Sequence, residues 1–171
     1  MPYLLRKIRK AKWYKHQGVS WLAEGELQAD ALNDLRTSSN ELSVWYIEDD
    51  ESNLEHVITA LAASGDTVAN LDYALFDLQL ITNSDIKIHQ SPGITPDERV
   101  NALWHRDLIE LSASKIMRLA TIIFTQAEIR RVSKKKLLRM IAQAVSTGRI
   151  DRAKLRPKMV AKVEAFLSKN R

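Results

Sequence analysis

Apolar residues recur along the chain with two spacings, and together these predict a mixture of strands and helices. Residues 42–48 are β-branched and aromatic, with apolar side chains at neighbouring positions, which is typical of a strand buried on both faces. Residues 73–76 and 86–89 predict two more strands. The first sixteen residues fit either a helix or a fourth strand, and we favour the strand. We therefore expect an α+β fold in which helices pack on a small sheet of three to four strands.

Helices are predicted where apolar residues return every three or four positions. This spacing covers residues 21–36 and the segment that follows Ser52. Residues 95–98 read TPDE, a helix start with a threonine cap and a proline in the first turn, and apolar positions continue from it without a helix breaker. One long helix over about residues 96–126, roughly 45 Å in length, is the simplest interpretation, and two helices with a kink near 112–114 are the alternative.

The last third of the chain predicts a pair of amphipathic helices. Ser133 would cap the first, Gly148 would end it, and Pro157 would open the second. Neither helix can bury its apolar face alone, so each must pack on the other, on the long helix or on a second chain. We therefore divide the sequence into an acidic α+β domain at 1–126, which includes the long helix, and a basic helical C-terminal region at 127–171.

Composition narrows the class of protein. The 171 residues fit one domain, or one domain with a helical appendage, and apolar and charged fractions of 45% and 27% are those of a globular protein. The sequence contains no cysteine, which excludes disulfides and thiolate metal sites. The N-terminal segment lacks the apolar core of a signal peptide, and no stretch approaches the ~20 apolar residues of a membrane span. A cytoplasmic protein without a membrane contact is the expectation.

Charge is strongly segregated along the sequence. Residues 1–16 hold six basic and no acidic residues, residues 17–114 hold four basic and eighteen acidic, and residues 115–171 hold sixteen basic and three acidic. The formal net charge of +5 hides this pattern. Either the basic ends fold against the acidic middle and neutralise it, or part of the positive charge is available to a partner.

The basic residues of the last third form two clusters, one around the start of the first C-terminal helix and one around the connector to the second. The eleven candidate binding residues are Arg130, Arg131, Lys134, Lys135, Lys136, Arg139, Arg149, Arg152, Lys154, Arg156 and Lys158. Basic patches on paired helices suit phosphate groups, because neutralising phosphates releases counterions and gives sequence-independent affinity. The expected function is a non-enzymatic interaction module whose basic C-terminal helices contact nucleic acid or an acidic protein partner.

A second hypothesis is catalytic. Asp72 precedes and Asp77 follows one predicted strand, and Asp85-Ile86-Lys87 leads into the next. Either aspartate could be the first carboxylate, and Glu48 or Glu55 could supply a further acid. A carboxylate on one strand followed by Asp-x-Lys on the next resembles the restriction-type nuclease motif. That resemblance implies two carboxylates holding Mg²⁺ and a lysine stabilising the attacking water. The alternative function is therefore a Mg²⁺-dependent nuclease-like enzyme that uses Asp77, Asp85 and Lys87.

A third hypothesis gives the main role to the acidic domain, which would mask a basic partner as an inhibitory or immunity-type protein does. The C-terminal helices could also be exchanged between two copies to form a homodimer. No cofactor motif is visible and the histidines are isolated in sequence, so neither a cofactor nor a metal is expected. The acidic run at 48–51 is better explained by the dipole of the helix that follows it than by a metal.

Residues 104–110 contain one further group of titratable side chains. On a helix, Asp107 and Glu110 would share a face and His105 would lie off it. We therefore interpret this segment as the polar face of a helix with ordinary ion pairs, and not as an acid/base or metal cluster.

Overall fold

The computed structural model describes residues 1–13, 22–23 and 25–169, and within these ranges the fold is α+β. Its centre is a six-stranded antiparallel sheet with the strand order β4-β5-β2-β1-β3-β6. The strands are β1 (Tyr3–Ile8), β2 (Leu42–Ile47), β3 (Leu71–Asp77), β4 (Lys87–Gln90), β5 (His105–Ile109) and β6 (Glu128–Val132). The predicted fold class is confirmed, whereas the predicted number of three to four strands is too low.

Helices cover both faces of this sheet. In the described ranges they are α1 (Leu54–Ala63), α2 (Leu78–Thr82), α3 (Glu98–Trp104), α4 (Ala113–Gln126), α5 (Lys134–Ser146) and α6 (Pro157–Lys169). The helix predicted after Ser52 is therefore present as α1. A 3₁₀ helix at Ala29–Leu35 stands in the region predicted as a helix over 21–36, of which positions 21 and 24 lie outside the described residues.

The sheet is buried on both faces, which explains why its central strands carry apolar residues at neighbouring positions. Leu4 and Leu5 of β1 are both fully buried, and they belong to cores on opposite sides of the sheet. Residues of α1, α3, α5 and α6 cover the Leu5 side, and residues of α2, α4 and the 3₁₀ helix cover the Leu4 side. Helix, sheet and helix therefore form three layers, with the basic helices α5 and α6 in the same layer as α1.

The long helix predicted over 96–126 is wrong, because β5 interrupts it. The chain leaves the helical conformation at His105, and β5 pairs with β2 on one side and with β4 on the other. Glu110 then takes a left-handed backbone with a φ of 55°, and Ser112 caps α4. Helical spacing of apolar residues is a local signal only, and hydrogen bonding to two neighbouring strands outweighs it.

The C-terminal region begins with a strand. The division predicted between residues 126 and 127 falls at the end of α4, and the next element, β6, pairs with β3 in the same sheet. Ser133 caps α5 by accepting a hydrogen bond from the N–H of Lys136 over 3.3 Å, and Gly148 follows the helix with a φ of 73°, both as predicted. Because α5 packs on α6 and on α1, the pair buries its apolar faces within one chain.

Candidate functional site

Six of the eleven predicted binding residues form ion pairs within the chain. Arg131 lies opposite Asp72 across β6 and β3, and it donates from Nε to Oδ1 over 2.6 Å and from Nη2 to Oδ2 over 2.9 Å. This contact lowers the pKa of Asp72 and raises the pKa of Arg131. The charge of Arg131 is therefore neutralised by a carboxylate of the same chain.

Arg130 is held by two carboxylates at the edge of the sheet. Its guanidinium donates to Glu128 over 2.5 Å and to both carboxylate oxygens of Glu51 over 2.5 and 2.8 Å. Glu128 and Glu51 together raise the pKa of Arg130. The acidic run at 48–51 thus neutralises a basic residue of the C-terminal region in addition to preceding α1.

The basic connector between α5 and α6 is also neutralised. Its pairs are Arg149 with Asp97, Lys154 with Glu98, Arg156 with Asp66, and Arg152 with Glu164. Arg149 Nε lies 3.5 Å from Asp97 Oδ2, and Asp97 caps α3 by accepting a hydrogen bond from the N–H of Val100. Arg149 and Lys154 thus attach the connector to the start of α3, and Arg156 attaches it to the segment after α1.

The remaining five predicted residues keep their charge toward solvent. They are Lys134, Lys135, Lys136, Arg139 and Lys158. All five are exposed, and in the described part of the chain none has a carboxylate oxygen within 4.0 Å. Four of them lie in the first two turns of α5, whose first turn contains no acidic residue. We call Lys134, Lys135, Lys136 and Arg139 the α5 cationic surface.

Internal pairing also reduces the acidic surface that the masking hypothesis would use. The carboxylates engaged by the basic C-terminal region are Glu51, Asp66, Asp72, Asp97 and Glu98. Exposed carboxylates near the start of α1 include Asp49, Asp50 and Glu55. Asp50 accepts a hydrogen bond from the N–H of Ser52 over 2.9 Å, which fixes the turn before the helix.

The residues of the nuclease hypothesis are not brought together. Asp77 ends β3 and caps α2, whereas Lys87 begins β4 and pairs with Glu110, with 2.7 Å between Nζ and Oε2. Three strands lie between β3 and β4, which corresponds to about 19 Å across the sheet. The side chain of Asp85 is 89% exposed. Among the described residues, no group of three or more His, Cys, Asp or Glu is placed to hold a metal ion.

A cavity of about 550 Å³ lies on the Leu5 side of the sheet, where β1 and β2 separate. β1 pairs with β2 only from Tyr3 to Leu5, although it pairs with β3 as far as Ile8. The strand residues that line the cavity are Arg6, Lys7, Ser43, Trp45, His105 and Asp107. Its walls come from the end of α1, the turn at 38–41 and the segment 92–95.

Arg6 fills the gap between the separated strands. Its guanidinium donates to the carbonyl oxygen of Ser43 over 2.7 Å and to that of Asp34 over 2.8 and 3.0 Å. Burial lowers the pKa of Arg6, only partly offset by the nearby charge of Asp34. All three of its hydrogen bonds go to backbone carbonyl oxygens and none goes to a carboxylate.

His105 and Asp107 lie two residues apart on β5 and form one hydrogen-bond network with two serines. Asp107 accepts from the Ser43 hydroxyl over 3.1 Å and from the Ser91 hydroxyl. His105 Nδ1 lies 3.0 Å from that Ser91 hydroxyl and 3.1 Å from the Ser91 carbonyl oxygen. Because the Ser91 proton is directed at Asp107, Nδ1 carries a proton and donates to Ser91. The network thus holds the segment after β4 against the cavity.

Sequence reasoning missed this network because the apolar spacing predicts a helix through residues 104–110. Helical spacing separates His105 from Asp107, whereas residues two apart on a strand share a face. The sequence of β5, HRDLI, has no alternation of polar and apolar positions, so no local signal marked it as a strand. Glu110, the third member of that predicted group, pairs with Lys87 at the edge of the sheet and does not line the cavity.

Similarity to known proteins does not supply a function. Comparisons with protein-family models, with curated proteins and with solved structures give no match. None of the helices in the described ranges combines the length and the apolar character that crossing a bilayer requires. Function is therefore inferred from the charge, the cavity and the packing of this chain.

Proposed function

We propose that this protein is a non-enzymatic binding module whose α5 cationic surface contacts the phosphate backbone of nucleic acid. The proposal is supported by a difference among the basic residues of the C-terminal region: some are paired with a carboxylate and others are not. Arg130 and Arg131 have carboxylates of their own, whereas the four residues of the α5 cationic surface have none among the described residues. Their positive potential is available to a partner.

The position of these cations on α5 also favours a partner. Lys134, Lys135 and Lys136 occupy the first turn, where the helix dipole is positive and where cations cost a few tenths of a kcal/mol each. A phosphate group placed there would interact with the lysines and with the positive end of the dipole together. The three lysines, which destabilise the first turn of α5 in the free chain, would be stabilised by the phosphate in the complex.

A nucleic acid fits this surface better than an acidic protein does. The four side chains lie within six residues of one helix, and none of the described residues on α5 is aromatic. Such a surface can contact consecutive phosphates, but it offers no stacking platform for bases. We therefore expect binding with little sequence preference. An acidic protein partner and a cytoplasmic location both stay predictions from the sequence.

The test is the salt dependence of binding to a fluorescein-labelled duplex DNA of random sequence, measured by fluorescence anisotropy. Four neutralised phosphates give a slope of log K against log salt of about −3 to −4. The variant K134Q/K135Q/K136Q should reduce the magnitude of that slope by about 2 to 3 and weaken binding at low salt.

A matched control removes three cations elsewhere. Lys12, Lys87 and Lys115 each lie within 4.0 Å of a carboxylate oxygen, so K12Q/K87Q/K115Q changes the net charge by the same amount and should leave the slope nearly unchanged. Equal loss in both variants would mean that only net charge matters and would reject the α5 cationic surface. Absence of DNA binding at low salt, or tighter binding to polyglutamate than to DNA, would also reject the proposal.

A further inference from the structure

The cavity between β1 and β2 has opposite charges on its two sides, and no residue of the α5 cationic surface lines it. Asp107 lies on the β5 side and Lys7 and Arg6 lie on the β1 side. β5, β2 and β1 are consecutive strands, so the two sides are about 10 Å apart along the sheet. Ser43 of β2 lies between them and is bonded to Asp107.

Asp107 is the more unusual of these groups. Its side chain is only 15% exposed, and its contacts are with two serine hydroxyls rather than with a lysine or arginine of the described chain. The nearest cationic candidate is His105, whose Nε2 lies 3.9 Å from Oδ1, too far for a hydrogen bond. A carboxylate held in a cavity in this way favours a cationic hydrogen-bond donor from a ligand.

The opposite side of the cavity favours an anion. Lys7 is exposed, and no carboxylate oxygen of the described residues lies within 4.0 Å of its ammonium group. Arg6 uses its guanidinium on two backbone carbonyl oxygens, which leaves its positive charge without a hydrogen-bonded carboxylate. Glu41 of the turn at 38–41 also lines the cavity, but its carboxylate is not within 4.0 Å of the Lys7 ammonium, so Lys7 is available to an anion.

The size and the walls of the cavity limit the ligand further. A volume of about 550 Å³ is within the range of small-molecule sites. Leu61, Pro92 and Ile94 give apolar contacts at the rim, and Ile94 is 96% exposed. Two extended residues span about 7 Å, so the ammonium and carboxylate of a dipeptide reach toward both sides, whereas those of a single amino acid are too close together.

We propose that this cavity binds a zwitterion of dipeptide size, with its ammonium group on Asp107 and its carboxylate on the side of Lys7 and Arg6. The side chains of the ligand lie against Leu61 and the segment 92–95. The Ser91–His105–Asp107 network keeps the carboxylate oriented in the absence of ligand.

Isothermal titration of the full chain with three matched ligands tests the proposal. L-leucyl-L-leucine carries both charges, N-acetyl-L-leucyl-L-leucine lacks the ammonium, and L-leucyl-L-leucinamide lacks the carboxylate. The dipeptide should bind, and each analogue should bind at least about tenfold more weakly, because each loses one charge-assisted contact. Failure of the dipeptide to bind, or an analogue that binds as tightly as the dipeptide, would overturn it.

Two substitutions assign the charges to their residues. Asp107→Asn should weaken the dipeptide and the leucinamide about equally. Lys7→Gln should weaken the dipeptide and leave the leucinamide unchanged, and it should fold as the parent protein does because Lys7 is exposed. Lys87→Gln, at the far edge of the sheet, is the control and should change neither affinity. A Lys7→Gln protein with unchanged dipeptide affinity would refute the assignment of the carboxylate side, even if Asp107→Asn unfolds the protein.

Discussion

Asp72 and Arg131 are 59 residues apart in the sequence and directly opposite each other in the sheet, where β3 pairs with β6. The pair joins the acidic middle of the chain to its basic end at one register position. It shows how the charge segregation of the sequence is resolved. Folding neutralises the cations of β6 and of the connector after α5, and it leaves the α5 cationic surface open.

We therefore expect the paired basic residues to contribute to the stability of the fold and the unpaired ones to contribute to DNA binding. Arg131→Gln removes the partner of a carboxylate that is only 11% exposed, so the urea midpoint should fall. The salt slope of DNA binding should stay as in the parent protein, because the charge of Arg131 is already neutralised by Asp72. Urea denaturation and anisotropy on the same preparation check both statements, and a reduced slope without loss of stability would contradict them.

Asp34 provides a prediction with a defined pH dependence. Burial alone would raise its pKa, but hydrogen bonds from the Arg9 N–H, the Trp13 indole and the Arg9 guanidinium outweigh burial, and its pKa lies below the ordinary value. The stabilisation is therefore complete above the unfolded pKa of about 3.9 and is lost as the pH falls through the lower folded value.

Asp34→Asn should lower the free energy of unfolding by about 1–3 kcal/mol at pH 7, because three donors lose a charged acceptor. The difference from the parent protein should shrink as the pH falls below about 4. Urea denaturation at pH 7, 5 and 3 measures it. A difference that is constant over this range would show that the charge of Asp34 contributes nothing.

The segment beside the cavity depends on a close approach at Gly93. A Cβ atom there would lie 2.7 Å from Cη2 of Trp45 and 3.1 Å from Cβ of His105. Gly93→Ala should therefore cost about 1–3 kcal/mol of unfolding free energy, since a side chain or the segment must move. Urea denaturation followed by tryptophan fluorescence measures the loss. Gly65→Ala, whose nearest atom is at 3.4 Å, is the control and should have a much smaller effect.

Much of the fold follows from local sequence signals, and the exceptions have one physical cause. β2 and the Ser133 cap of α5 were predictable because their signals are local: a β-branched apolar run and a hydroxyl before a helix. β5 was not, since its conformation depends on hydrogen bonds to β2 and β4, and the cavity residues His105 and Asp107 were lost with it. Likewise, the sequence identified the eleven basic residues but not which of them would meet a carboxylate, because the register of β3 with β6 decides that for Arg130 and Arg131.

The α5 cationic surface should also show a conflict between stability and binding. Ser133 already caps α5, so Lys136→Glu would complete a capping box, and it would replace a cation by an anion at the positive end of the dipole. We expect the free energy of unfolding to rise by about 0.5–1 kcal/mol while DNA affinity falls and the salt slope flattens. Lys136→Gln, which can form the same capping box with a smaller change of charge, should gain part of the stability and lose less affinity. A Lys136→Glu protein that is more stable but binds DNA as the parent protein does would contradict the proposed role of the first turn of α5. Lys136 would then lower the stability of the helix without contacting DNA.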